Sequence, residues 1–135
     1  MPKTQTTQPL IAVLDNEPEM RKALRRLLSC CGFRVEEYAG GDEFLAALGL
    51  HAPDCLLLDL HMPDLNGFDL LGDFRFRQMP VPVVVITAHD EPGAAERVLA
   101  LGASACLKKP VDRDVLLSAI SEAIAGAKNN DREKR

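Results

Sequence analysis

Five residues with reactive or charged side chains stand at or just beyond the ends of apolar runs. Leu10 to Leu14 (LIAVL) meets Asp15 and Asn16, Cys55 to Leu58 (CLLL) meets Asp59, and Val81 to Ile86 (VPVVVI) meets Thr87. A last short run, Ala105 to Leu107, is followed closely by Lys109. In open α/β sheets, ligands bind outside the carboxyl ends of the strands. Strands formed by these runs would therefore aim two carboxylates, a carboxamide, a hydroxyl and an ammonium at one crevice. Clustered carboxylates repel unless a cation lies among them, and oxygen donors with open water positions suit magnesium or manganese. A carboxylate is also a nucleophile able to form an aspartyl-phosphate. A cation, an ammonium and a hydroxyl donor around the transferred phosphoryl group would stabilise its charge. On this reading Asp59, after the most buried-looking strand, is the acceptor. Asp15 and Asn16 hold the metal, Lys109 pairs with the phosphate, and Thr87 donates to a phosphate oxygen.

Taken singly, each residue has a plainer role. Asp15, Asn16 and Glu17 would suit the cap and first turn of a helix. Thr87 could be an ordinary strand-end hydroxyl and Lys109 a surface ammonium. Their convergence on one crevice is what favours a shared chemical role. Asp54, Asp64 and Asp69 read as loop or helix-start residues, and His51 has no partner identifiable from sequence.

The elements that must position these groups alternate between strand-length apolar runs and helix-length segments of period 3.6. This is the pattern of repeated βα units around a parallel sheet. A helix is expected from Glu17 to about Cys31, with Met20, Leu24, Leu27, Leu28 and Cys31 on its apolar face and Gly32 ending it. A second strand follows near Phe33 to Glu37, and Asp42 is expected to cap a helix carrying Phe44, Leu45 and Leu48. His61 to Gly67 (HMPDLNG) reads as a turn-rich loop opening a third helix, with Phe68 and Leu71 inward. The fourth helix is expected after Asp90, with Pro92 in its first turn and Gly102 past its end. Its stripe of Ala94, Ala95, Val98 and Leu101 is thin. Asp112 opens the last helix, with Val115, Leu116, Ala119, Ile120, Ala123 and Ile124 as its apolar side. The count is five strands and five helices in one domain: a flexible start over residues 1–9, the domain over residues 10–127, and a frayed, mixed-charge tail over residues 128–135.

A net charge of -4 argues against a chain built to grip nucleic acid or an anionic membrane. No apolar run approaches a membrane span, and the polar start lacks a signal-peptide core, so a cytoplasmic location is expected. The cysteines, Cys30, Cys31, Cys55 and Cys106, form no C-x-x-C pair and read as reduced structural thiols.

The stretches VLDNEPEMRKAL, LLLDLHMPDLNGFDLL, VVVITAH and LGASACLKKPV together closely resemble response-regulator receiver domains of two-component signalling, from Leu10 to about Ala125. The resemblance implies a flavodoxin-like fold: a doubly wound five-stranded parallel sheet of order 2-1-3-4-5 with helices on both faces. It implies transfer of a phosphoryl group to Asp59 from a sensor histidine kinase or a phosphotransfer protein. It further implies a backbone-carbonyl metal ligand from His61 and a cis Lys109-Pro110 bond. The chain would assist its own phosphorylation and dephosphorylation without being an enzyme in the ordinary sense. Regulators of this kind often form homodimers through the face made by the fourth helix, fifth strand and fifth helix. Direct binding to nucleic acid or membrane is not expected of this chain.

Two positions depart from the pattern. Asn16 stands where the resemblance implies a second acidic residue that ligates the metal, so weaker magnesium binding is expected, with Glu17 a compensating group in the outer shell. Cys106 stands where receivers usually carry an aromatic ring that follows the hydroxyl residue, here Thr87, on activation. The resemblance implies that the positions of His61 and His89 tune loss of the phosphate to water, while ordinary solvent-exposed histidines are the plainer reading. Two other functions fit parts of the pattern. A hydrolase of the haloacid-dehalogenase kind would need a second carboxylate two residues beyond Asp59, where His61 stands. A degenerate receiver, binding a partner without phosphorylation, is the closer alternative, favoured by Asn16 and Cys106 and opposed by intact Asp59, Thr87 and Lys109.

Overall fold

The apolar runs form the middle of a parallel sheet because every second side chain of each strand meets a different layer of helices. In a computed structural model, which describes residues 8–133 apart from residues 64, 78–79 and 89–91, the sheet contains β1 (Leu10–Leu14), β2 (Arg34–Tyr38), β3 (Cys55–Asp59), β4 (Val83–Thr87) and β5 (Ala105–Lys108). Their order is β2-β1-β3-β4-β5 and every pairing is parallel. The helices are α1 (Pro18–Cys30), α2 (Gly41–Leu48), α3 (Gly67–Arg77), α4 (Ala94–Ala100) and α5 (Arg113–Glu133). The doubly wound topology expected from the sequence is therefore present.

Strands β1, β3 and β4 are buried along their whole length. Ile11, Val13, Cys55, Leu57, Val84 and Ile86 pack with Leu24 and Leu28 of α1 and Leu116, Ile120 and Ala123 of α5. The alternate residues Ala12, Leu14, Leu56, Leu58, Val83 and Val85 pack with Phe44 of α2, Phe68, Leu71 and Phe74 of α3, and Val98 of α4.

Several local expectations are corrected. Gly40, in extended backbone, caps α2, and Asp42 lies in the first turn instead, where its charge still suits the positive end of the helix dipole. Pro92 lies outside α4, because the cap is Gly93 at φ 82°, a left-handed conformation cheap only for glycine. β4 starts at Val83 rather than Val81. Pro82 has no N–H for the ladder and contributes only its carbonyl, which accepts from the Leu56 N–H at 2.9 Å. Val115 is 50% exposed, since the apolar stripe of α5 is wider than the sheet surface it covers. The last helix runs to Glu133, through most of the stretch read as a frayed tail. Asp112 does cap α5, its Oδ2 accepting from the Val115 N–H at 3.1 Å.

Two residues given no role by sequence have structural ones. Asp54 Oδ2 accepts from the Leu10 N–H at 2.7 Å, fixing the start of β1. His51 Nε2 lies 2.8 Å from Glu36 Oε1, which also accepts from the Tyr38 hydroxyl at 2.8 Å. Burial and the Glu36 carboxylate push the Tyr38 phenol up to about 12. All four cysteines are free thiols. Burial pushes the Cys55 thiol up to about 12, which leaves it inert.

Candidate functional site

Among the described residues the buried polar side chains are Asp15, Asp59 and Thr87. All three are strand-end residues singled out in the sequence. A carboxylate is rarely buried unless it is paired or bound to a cation, so two of them at one sheet edge mark a built site. They meet because β1, β3 and β4 are adjacent in the sheet and end at the same level: Leu14 pairs with Leu58, and Asp59 with Ile86.

Lys109 arrives from the far side. Its backbone N–H donates to the Thr87 carbonyl at 2.8 Å, continuing the β4–β5 ladder one residue beyond β5. Its Nζ then lies 3.0 Å from Asp15 Oδ2, 2.9 Å from Glu17 Oε1 and 3.9 Å from Asp59 Oδ2. The Lys109-Pro110 bond is cis, as the resemblance implied. Burial works against the ammonium, but its hydrogen bonds to Glu17 and Asp15 outweigh this and hold Lys109 above its ordinary value. The hydrogen bond from Lys109, with its charge, lowers Glu17. Asp59 is pushed above the usual carboxylate range, first by burial and then by the Asp15 carboxylate, against the pull of Lys109 and the His61 N–H.

The loop after β1 adds a residue to the expected set. Asp15 Oδ1 accepts from the Glu17 N–H at 2.9 Å, a tight turn with Asn16 at its outer corner. Asn16 is exposed, while one oxygen each of Asp15, Glu17 and Asp59 lies within 4.8 Å of the others. Sequence reasoning gave Glu17 a peripheral place; the structure puts its carboxylate in the cluster. The available signal was a carboxylate two residues past a strand-end aspartate, immediately before the proline that starts α1. The Arg21 guanidinium donates to the Asp15 carbonyl at 2.6 Å, tying this turn to α1.

The loop after β3 brings His61, whose backbone N–H donates to Asp59 Oδ1 at 3.3 Å. A short antiparallel ribbon, His61–Met62 with Leu65–Asn66, leads into α3. Gly67 begins that helix where a Cβ would stand 2.7 Å from Leu60 Cδ1 and 3.1 Å from the Leu60 carbonyl, so glycine is what lets α3 start against the end of β3. Asn66 Oδ1 caps it, accepting from the Phe68 N–H at 2.8 Å. Cys106, half-buried on β5, packs against the core side shared with α4. His89 lies outside the described residues.

Chemically the pocket holds three carboxylates that share one ammonium. That leaves surplus negative charge on hard oxygen donors, a set that fits magnesium or manganese and does not resemble the nitrogen and sulfur ligands of a structural zinc site. No described helix is long and apolar enough to cross a membrane.

Comparison with known proteins agrees with this geometry. The response regulator receiver domain family matches residues 11–121. The chain is 35% identical over 122 residues to the transcriptional regulatory protein FixJ of Bradyrhizobium diazoefficiens, covering 90% of this chain and 60% of that protein. It is 34% identical over 116 residues to the DNA-binding transcriptional regulator NtrC of Salmonella typhimurium, covering 86% of this chain and 25% of that one. It thus spans only part of the length of these relatives. Among solved structures, a response regulator receiver protein from Burkholderia phymatum superposes with a TM-score of 0.77 at 36% identity, covering 87% of this chain and 96% of that one. With sheet order, strand-end chemistry and sequence all in agreement, the chain belongs to the response regulator receiver domain family of two-component signalling.

Proposed function

We propose that Asp59 accepts a phosphoryl group from the phosphohistidine of a cognate sensor histidine kinase or phosphotransfer protein, in a reaction that needs magnesium or manganese. The observation that carries this reading is the buried Asp59 carboxylate, with the Lys109 ammonium 3.9 Å away and Asp15 beside it. In the step proposed, an Asp59 oxygen attacks phosphorus in line while the P–N bond to the donor imidazole breaks, its electron pair leaving with the ring. Lys109 exchanges part of its contact with Asp15 and Glu17 for a phosphoryl oxygen, and the Thr87 hydroxyl donates to another. Asp15 and Asp59, with Asn16 and the His61 carbonyl named by the family resemblance, are the groups that would hold the metal. When bound, that cation neutralises the carboxylates and the charge on the phosphoryl oxygens.

The output is a change in a protein-binding surface. The face of α4, β5 and α5 is its proposed location and a proposed homodimer contact. Leu99 of α4 and Val115 of α5 are exposed apolar side chains there, at 48% and 50%. A phosphorylation-independent binding module is the second reading, favoured by the neutral Asn16 and the small Cys106.

Incubation with acetyl phosphate, with and without magnesium, followed by intact mass, tests the choice. A gain of one phosphoryl group that requires magnesium and is lost in Asp59→Asn is the expected result. No gain, even with a cognate kinase supplied, would overturn the proposal in favour of the binding module.

A further inference from the structure

We infer that Glu17, not Asn16, supplies the third carboxylate that the metal site of this chain needs; this rests on the proposed magnesium-dependent reading above. The turn after β1 decides the matter. Because Asp15 Oδ1 accepts from the Glu17 N–H at 2.9 Å, the chain folds back on itself and places residue 17 over the pocket. Residue 16 stands at the corner of that turn and is exposed. Glu17 is held at the pocket by Lys109 at 2.9 Å, the same ammonium that contacts Asp15 and Asp59. One oxygen each from Asp15, Glu17 and Asp59 lies within 4.8 Å of the others, so a small inward movement of the exposed Glu17 side chain would let a single divalent ion touch all three.

Charge gives an independent reason. Asp15 and Asp59 against Lys109 leave a net charge of about one negative, poorly matched to a divalent ion, since ligand charge count tunes affinity for such cations. Glu17 makes the surplus two, matching the ion. A neutral amide at position 16 is then no defect: the acidic group has moved one residue along the chain, and the tight turn returns it to the same pocket. Glu17 is also the cluster's most exposed member, its side chain 63% accessible against 3% for Asp15 and 7% for Asp59. It can therefore turn from Lys109 towards an incoming cation without disturbing the core, releasing the ammonium for the phosphoryl group.

Calorimetric titration of the whole chain with magnesium chloride, repeated with manganese chloride, tests this without any phosphorylation readout. Glu17→Gln is expected to weaken binding about tenfold or more, in the range seen when groups that orient or support a metal site are removed. The neighbouring surface control Glu19→Gln is expected to bind as the parent does, and Asn16→Ala to lose less affinity than Glu17→Gln. Circular dichroism melting of each variant without metal separates lost affinity from lost fold. Equal loss in Glu17→Gln and Glu19→Gln would reduce the effect to general surface charge and overturn the inference. So would unchanged affinity in Glu17→Gln, or a larger loss in Asn16→Ala. If the parent binds neither metal while Asp15→Asn behaves identically, the underlying magnesium-dependent reading fails instead.

Discussion

The two helical layers that cover the sheet are unequal, and the site divides between them. α1 and α5 are the longest helices, 13 and 21 residues, and they bury Leu28, Leu116 and Ile120 almost completely. The opposite layer is built from α2, α3 and α4, of 8, 11 and 7 residues. The loop after β1 leads into α1 and the loop after β5 into α5, so Asp15 and Lys109 are attached to the long-helix layer. The loops after β3 and β4 lead into α3 and α4, so Asp59 and Thr87 are attached to the short-helix layer. Two of the site's charges, Asp15 and Lys109, thus hang on the longer helices. The proposed acceptor and its hydroxyl partner hang on the half built from the shorter helices, where fewer backbone hydrogen bonds hold each element against local opening. A change at Asp59 should accordingly be felt first in α3 and α4.

The largest test of this comparison uses one substitution in each layer. Leu116→Ala in α5 removes a side chain only 1% exposed and is expected to cost about 2–5 kcal/mol. Leu101→Ala, at the end of α4, truncates a half-buried leucine packed against the other cluster and is expected to cost about 1 kcal/mol. Urea unfolding with a shared slope measures both. A loss in Leu101→Ala as large as in Leu116→Ala, despite the lesser burial of Leu101, would show that the short-helix layer is at least as firm and remove the basis for assigning motion to it.

A smaller effect, opposite in sign, is expected at the site. The Asp59 carboxyl is raised by burial and by Asp15, so the folded state holds its proton more tightly than the unfolded chain does. Stability is therefore lost as pH rises from the ordinary carboxylate value through the folded one, so the penalty is larger at neutral pH than in the acid range. Asp59→Asn removes it. A melting temperature higher by roughly 2–5 °C at pH 7, an ordinary single-site effect for a domain of this size, is expected. The gain should shrink as pH falls through the carboxylate range, and magnesium should narrow it by stabilising the parent more than the variant. A variant less stable than the parent at pH 7 would mean that the Lys109 contact outweighs burial and the Asp15 charge.

The sequence made the sheet legible because β1, β3 and β4 are short, wholly apolar and end abruptly in polar groups, a pattern that only a central parallel strand explains. It also made Asp15, Asp59, Thr87 and Lys109 legible, since a strand end fixes both the position and the direction of the next residue. It failed where backbone conformation decides. That the Glu17 carboxylate joins those of Asp15 and Asp59 depends on a turn closed by one side-chain hydrogen bond. The start of α4 depends on the positive φ of Gly93, which composition does not distinguish from Pro92 opening the helix. Val115 fits the periodicity of α5 but not the width of the surface beneath it, because periodicity reports direction and not how far the neighbouring layer extends.

The finest test lies within the short-helix layer. The Arg97 guanidinium of α4 stands 3.9 Å from the centroid of the Phe68 ring at the start of α3, joining the helix that follows Thr87 to the one that follows Asp59. An exposed contact of this kind contributes about 0.5–1 kcal/mol. A double-mutant cycle with Arg97→Ala and Phe68→Leu isolates that coupling from the loss of each side chain alone. Hydrogen exchange locates it: amides of α4 should exchange faster in Arg97→Ala while those of α5 do not. Lysine at position 97 should restore little, because it lacks the flat guanidinium that stacks on the ring. Zero coupling, or faster exchange spread equally over both layers, would mean that α4 is held by the apolar contacts of Ala94, Val98 and Leu101 beneath it rather than by α3. The two site-bearing loops would then move independently, and any signal from Asp59 would have to reach α4 through Thr87 alone.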